Sequence, residues 1–258
     1  MTTPATPGPA PVEAIDRALA LLSGLSEAGP EGTTLVALCR DLGLNKSTAY
    51  RALSTMRARG FVSQDPDGSY RLGPVAVGLG AQYFGPASLS QLIHPALLVL
   101  ARDLDELVHL GVLNGDRVVY VDKVEPDKSI RVWSQVGRSV PVATTSLGRA
   151  ILAYKHLPDE QLDAFVEDGG DPARLRQAVA GARQRGYATE IEENEPGIAC
   201  LGVPILADGS AVAALSVTML ANTLDDHRMA EVAERVAELV PPRLPDGLEL
   251  PTQLGPAA

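Results

Sequence analysis

The spacing of apolar residues changes rhythm several times along the chain. Val12, Ile15, Leu19, Leu22 and Leu25 recur every three or four positions, the period of an amphipathic helix, and Gly29-Pro30 ends the run. A shorter stripe, Leu35, Leu38 and Leu42, follows Thr33 and Thr34, either of which can cap a first turn with its hydroxyl. Gly43 suits a left-handed stop, and Asn45 can cap another helix almost at once. In that helix Ala49, Leu53 and Met56 share the inward side, and Gly60 closes it. Phe61-Val62-Ser63 and Ser69-Tyr70-Arg71-Leu72 then flank Asp65-Pro66-Asp67-Gly68, a turn between two short strands.

Pro74 suits the first position of a further helix, with Val75, Leu79 and Tyr83 as its stripe and Gly85-Pro86 as its break. Leu92, Ala96, Leu100 and Leu104 predict a helix over 89–104. The period then drops to two. Residues 108–113 and 117–122 predict strands joined by Asn114-Gly115-Asp116, with a third strand over 130–134. Residues 144–153 predict a capped helix with an apolar back, and two more helices follow over 158–166 and 172–185. A charged loop over 190–195 leads to a second hairpin, 198–205 and 211–219, turning at Asp208-Gly209. A helix over 224–240 comes last. Hairpin strands with helices between and at both ends predict an antiparallel α+β domain. The expected division is a disordered leader (1–11), a helical and hairpin domain (12–73), a linker helix (74–88), an α+β domain (89–240) and a mobile tail (241–258).

Length supports this division, since 258 residues suffice for two modest cores. No apolar run approaches the roughly 18–20 residues of a membrane span, and no secretion leader opens the chain. Cys39 and Cys200 lie far apart and suggest no disulfide framework, which suits a reducing cytoplasm. His94, His109, His156 and His227 lack ligand spacing, so neither a metal site nor a cofactor is expected. The formal charge is −10, but it is unevenly spread. Between Gly32 and Val75 stand six basic residues (Arg40, Lys46, Arg51, Arg57, Arg59, Arg71) and three acidic ones (Asp41, Asp65, Asp67), a net +3 that leaves −13 elsewhere.

That local excess falls on the second of the two closely joined helices. Lys46, Ser47, Thr48, Tyr50 and Arg51 crowd the outward side of its first turns, a set of donors and cations fit for a major groove. Lys46 and Arg57 suit phosphates, while Ser47, Thr48, Tyr50 and Arg51 could meet bases or phosphates. A helical pair and hairpin with no nucleic-acid role is the alternative. The ordered combination of helix, turn, helix and wing favours double-stranded DNA. A domain at +3 predicts modest non-specific affinity, so two copies per site would help.

The run NKSTAYRALSTMRARGFV, followed by a hairpin ending in YRLGP, resembles the winged helix-turn-helix of the IclR family of bacterial transcription regulators. The second half resembles the same family's effector domain, a GAF-like sheet with helices, through VHLGVLNGDRVVYVDKV, VGRSVPVATTSLGRAILA, RGYATEIEENEPGIACLGVPI and AALSVTM. The likeness spans about Val12 to Val240. It implies a regulator of transcription, more a repressor than an activator, acting as a homodimer or homotetramer on a pseudo-palindromic operator. It also implies that the linker helix packs against its counterpart in a second copy.

By position, the resemblance places Thr145, Ser146 and Leu147 at an effector site, with Val140 as a wall and Glu190, Cys200, Ser216 and Thr218 around it. Hydroxyls and helix N-terminal amides suit a small anionic or polyhydroxylated ligand. Ser216 and Thr218 could equally face solvent from a strand. Glu190, Glu192 and Glu193 compete for the polar position of the acidic loop, and Arg149 stands where the family carries lysine. Cys200 reads as a buried structural thiol, a pocket wall, or a nucleophile in an enzyme whose winged domain contacts proteins.

Overall fold

Capping and a short hairpin organise the first part of the chain in a computed structural model that describes residues 12–83, 89–128, 132, 134–167 and 169–255. The chain divides into two compact units at residues 85/86. In the first, α1 (Glu13–Glu27), α2 (Leu35–Asp41) and α3 (Lys46–Ala58) precede the hairpin β1 (Val62–Gln64) and β2 (Tyr70–Leu72). Thr34 caps α2 by accepting from the Ala37 amide at 3.2 Å, and Asn45 caps α3 by accepting from the Ser47 amide at 2.9 Å. Gly43 takes the left-handed conformation that lets the chain turn between them. Leu21, Leu25, Leu38, Ala49, Leu53, Met56, Val62 and Tyr70 form one core. Helix α4 (Pro74–Tyr83) follows, tied to the turn between α3 and β1 by the Val75 amide donating to the Gly60 carbonyl.

The second unit contains α5 (Leu89–Leu104), β3 (Leu107–Asn114), β4 (Arg117–Val124), β5 (Ser139–Pro141), α6 (Ser146–Ala153), α7 (Asp159–Asp163), α8 (Pro172–Arg185), β6 (Ala188–Ile191), β7 (Ile198–Ala207), β8 (Ser210–Leu220) and α9 (Asp226–Leu239). The strands form one antiparallel sheet in the order β5-β4-β3-β8-β7-β6. Helices α5 and α9 pack together on one face. Helix α6 lies on the other, backed by α8, and its residues 146–153 are buried throughout. Gly202 permits this approach, because a Cβ there would stand 2.5 Å from the Ser146 carbonyl oxygen.

Several expectations change. In α1 the buried stripe is Leu21 and Leu25, whereas Val12, Ile15 and Leu19 are 64%, 58% and 59% exposed. Two overlapping stripes share Leu22 and Leu25, and the one that includes Leu21 meets α2 and α3. In α5 the expected Ala96, Leu100 and Leu104 are buried, joined by Ile93, Leu97 and Ala101, and only Leu92 of the expected stripe is exposed. Most of the strand expected over 130–134 lies outside the described residues, as do the leader and residues 84–88 of the linker. On the side away from β3, strand β4 pairs with β5. Glu190 sits in strand β6 rather than in a charged loop. The expected mobile tail is pinned: Glu249 bridges Leu206 through both backbone groups, Leu250 is buried, and the Gly255 amide donates to the Arg185 carbonyl.

Candidate nucleic-acid interface and effector pocket

The N-terminal half of α3 carries the first candidate site. Ala49, Leu53 and Met56 are drawn into the core, which turns the intervening positions outward. Lys46, Ser47, Tyr50, Arg51 and Arg57 are exposed, and Thr48 is partly so. The side chains of Lys46, Thr48, Tyr50 and Arg51 have no hydrogen-bond partner among the described residues. Ser47 differs. Its hydroxyl donates to Asn45 Oδ1 at 2.8 Å, so it stiffens the cap that sets the helix start. Arg57 is hydrogen bonded to Gln64 of β1, which ties the far end of α3 to the wing. The wing is braced in turn by a bidentate pair between Arg71 and Asp65. Asp67 accepts from both the amide and the hydroxyl of Ser69, and these bonds hold its carboxyl below the usual range.

The second site is a polar row crossing the α6 face of the sheet. Pairing register sets Glu190 opposite Cys200, Cys200 opposite Thr218, and Gly202 opposite Ser216. Cys200 Sγ lies 3.4 Å from Thr218 Oγ1, and Thr218 Oγ1 lies 3.4 Å from His109 Nδ1. His109 Nε2 is 2.9 Å from Ser134 Oγ, and its ring stacks on Tyr120 with centroids 4.4 Å apart. Strands β6, β7, β8 and β3 thus each lend one polar group to a continuous contact. His109, Tyr120 and Ser134 were not anticipated. A lone histidine in the apolar alternation of residues 107–113 was the available signal for the first.

The remaining expected residues surround this row. Val140 and Leu147 are buried in the same apolar cluster as Val118 and Tyr120. Thr145 caps α6: its hydroxyl donates to the Pro141 carbonyl at 2.7 Å and accepts from the Gly148 amide at 3.2 Å. Ser146 and Ser216 are buried, each only 2% exposed. Arg149 is wholly engaged, donating to the carbonyls of Ala143 and Thr189 and to Glu193. A cleft of about 770 Å³ opens at the sheet end and is lined by Leu107, Glu125, Lys128, Glu195, Ile198 and Thr218, among others. Of the expected effector residues, Thr218 alone lines that cleft.

Protonation is set by burial. It pushes the His109 imidazole down to about 3, with Lys123 and Arg138 adding to the effect, so the ring is neutral. It pushes the Cys200 thiol up to about 12 and the Tyr120 phenol up to about 12. It also lifts the Glu190 carboxyl, against the pull of hydrogen bonds from the Asn194 and Glu193 amides. A nucleophilic cysteine needs the opposite shift. The Cys200–Thr218–His109 contact is therefore a packed polar row rather than an activated thiol. Among the described residues there is no cluster of three or more histidine, cysteine or acidic groups able to hold a metal, and no helix long and apolar enough to cross a membrane.

A winged helix-turn-helix with an unencumbered cationic helix face, and a sheet domain with a buried polar row, define a ligand-responsive DNA-binding regulator of transcription. The chain belongs to the IclR family: its residues 14–66 match the IclR helix-turn-helix domain, and residues 81–240 match the bacterial transcriptional regulator IclR C-terminal domain. It is 32% identical over 239 residues to the HTH-type transcriptional regulator XynR of Escherichia coli K12, covering 88% of this chain and 94% of that one. It is 30% identical over 237 residues to the regulator BhcR of Paracoccus denitrificans, covering 88% and 84%. Among solved structures, the Thermotoga maritima IclR superposes with a TM-score of 0.69 at 27% identity, covering 89% of this chain and 96% of that one.

Proposed function

We propose that this regulator binds a pseudo-palindromic operator as a homodimer or homotetramer, and represses by occupying it. The carrying observation is the face of α3, where Lys46, Thr48, Tyr50 and Arg51 point to solvent without internal partners. Two such helices would read half-sites about one helical turn apart, or a multiple of it. Arg51 and Tyr50 supply base-edge contacts. Lys46 and Arg57 hold phosphates, and Arg57 does so in concert with the wing through Gln64. Pairing of α4 between copies is the proposed coupling element. The setting is the cytoplasm, where the operator lies.

The effector would enter through the cleft at Thr218 and reach the row formed by Thr218, Cys200, His109 and Glu190. The hydroxyl-bearing residues Ser146 and Ser216 support a ligand that accepts or donates hydrogen bonds under the start of α6. Val140, Thr145 and Leu147 shape that end, with Thr145 acting through the cap rather than by direct contact. Ligand can alter DNA affinity only by binding two arrangements unequally. Fluorescence anisotropy on the upstream region of its own gene tests the reading. Saturable, salt-dependent binding to duplex DNA is expected, and a flat salt response would overturn it. A thermal-shift screen of small acids, sugars, amino acids and aromatics then identifies the effector class.

A further inference from the structure

We propose that the β6 edge of the second unit carries a binding site for the phosphoryl group of a small molecule. It lies on the outer side of the Arg149–Glu193 pair, toward α8. Arg174, Ala178, Gly181 and Arg185 fall four, three and four residues apart and so share one face of α8. Arg174, Ala178 and Arg185 line a cleft of about 220 Å³ together with Arg149, Thr189 and Glu193. A glycine inside a helix is destabilising relative to alanine. Here it makes room, because a Cβ at Gly181 would lie 3.3 Å from Arg185 Nη1.

The charges in the cleft are unevenly matched. Three guanidiniums meet two carboxylates, Glu190 and Glu193. Glu193 is already divided between Arg149 at 2.8 Å and Arg174 at 3.2 Å. Glu190 is folded back on the amides of Glu193 and Asn194, at 2.7 and 3.1 Å. Arg185 is left over. Its guanidinium lies 5.4 Å from the centroid of the Tyr187 ring and meets no carboxylate among the described residues. Its Nε is the one buried side-chain nitrogen or oxygen without a hydrogen-bond partner among the described residues. A buried donor without an acceptor is costly, and a turn of the Arg185 side chain toward a bound oxyanion would relieve that cost. A planar guanidinium matches phosphate oxygens bidentately, and a tetrahedral dianion brings more oxygens and more charge than a carboxylate to serve Arg185 and Arg174 at once. The cleft accommodates a phosphoryl group and leaves its substituent in solvent. Arg149 belongs to α6, so occupancy here bears on the helix whose first turn faces the effector row.

Calorimetric titration of the full chain at constant ionic strength tests the site, with inorganic phosphate, glucose 6-phosphate, glucose and acetate as probes. Saturable binding of the first two is expected, and none of the last two. Arg185→Gln should weaken it by about tenfold or more, and Arg174→Gln should weaken it too, as loss of charge-assisted hydrogen bonds requires. Tighter binding of glucose 6-phosphate would identify an ester as the ligand, and equal binding would mean that the phosphoryl group alone is recognised. If Arg185→Gln does not fold, broadening of the phosphorus resonance by wild-type protein, reduced by Arg174→Gln, decides the matter. A response to phosphate no larger than that to sodium chloride of equal ionic strength overturns the site, as does undiminished binding by Arg185→Gln. Operator binding is read separately, so failure here leaves the DNA assignment standing.

Discussion

Arg149 and Glu193, 44 residues apart in sequence, meet with a guanidinium nitrogen 2.8 Å from the carboxylate, and Arg149 is only 4% exposed. The contact joins the buried helix α6 to the segment after β6. Arg149 also donates to the Ala143 and Thr189 carbonyls, so its removal strands acceptors as well as a charge. Breaking a buried pair by deleting one partner typically costs about 3 kcal/mol or more. Arg149→Leu should therefore lower the stability of the second unit by about 3 kcal/mol, read from the urea midpoint. A loss under about 1 kcal/mol would mean that the pair contributes only surface electrostatics.

Truncating the recognition face should separate two kinds of contact. Arg51→Ala should weaken operator binding about tenfold or more and relax preference at one base position. Arg57→Ala should weaken all duplexes alike and reduce the salt slope by about one unit. Anisotropy against salt for matched and scrambled operators distinguishes the two. Equal behaviour of the variants would refute this division of labour.

Acid should destabilise the protein through His109. The folded imidazole titrates near 3, and its ordinary value is 6.5. Below about pH 6.5 the unfolded chain takes up a proton that the folded chain refuses, so stability falls as pH falls. By about pH 4.5 the loss from this residue is roughly 3 kcal/mol. His109→Gln should flatten that slope between about pH 6.5 and 4.5 in urea titrations. An unchanged slope would place the acid sensitivity elsewhere.

Cys200 should be a sluggish thiol. Its folded value near 12, against an ordinary 9.0, leaves little thiolate at neutral pH. In a Cys39→Ala background, alkylation at about pH 8 should run at least a hundredfold slower than in the urea-unfolded chain, since reactivity follows thiolate fraction. The same shift lowers stability as pH rises above about 9, where only the unfolded chain releases the proton. Fast labelling of the folded form would reopen the question of a reactive cysteine.

The helix-turn-helix was legible because its signals are local. The caps at Thr34 and Asn45, the stop at Gly43 and the turn at residues 65–68 all act within a few residues. Stripe choice in α1 was less legible, because Leu22 and Leu25 belong to two apolar faces and only the partner helices decide which is buried. The effector row was half legible. Cys200 and Thr218 alternate on strands in a way the sequence displays, but His109 joins them only through pairing of distant strands, and Ser134 reaches it from the segment between β4 and β5. The role of Arg149 was hidden for the same reason, since nothing near position 149 announces Glu193 as its partner.

The end of the chain has a practical bearing. Strand β6 pairs with β7 only over residues 199–202, so the length from Val203 to Ala207 has an open side there. Glu249 takes up part of that side through Leu206, and Gln253 closes against Gly186. Trimming the protein at residue 240 for crystallisation would bare a ribbon of unsatisfied amides and carbonyls, an invitation to fibrous or swapped association. Expression designs should keep the chain through residue 255 and place any purification handle at the other terminus.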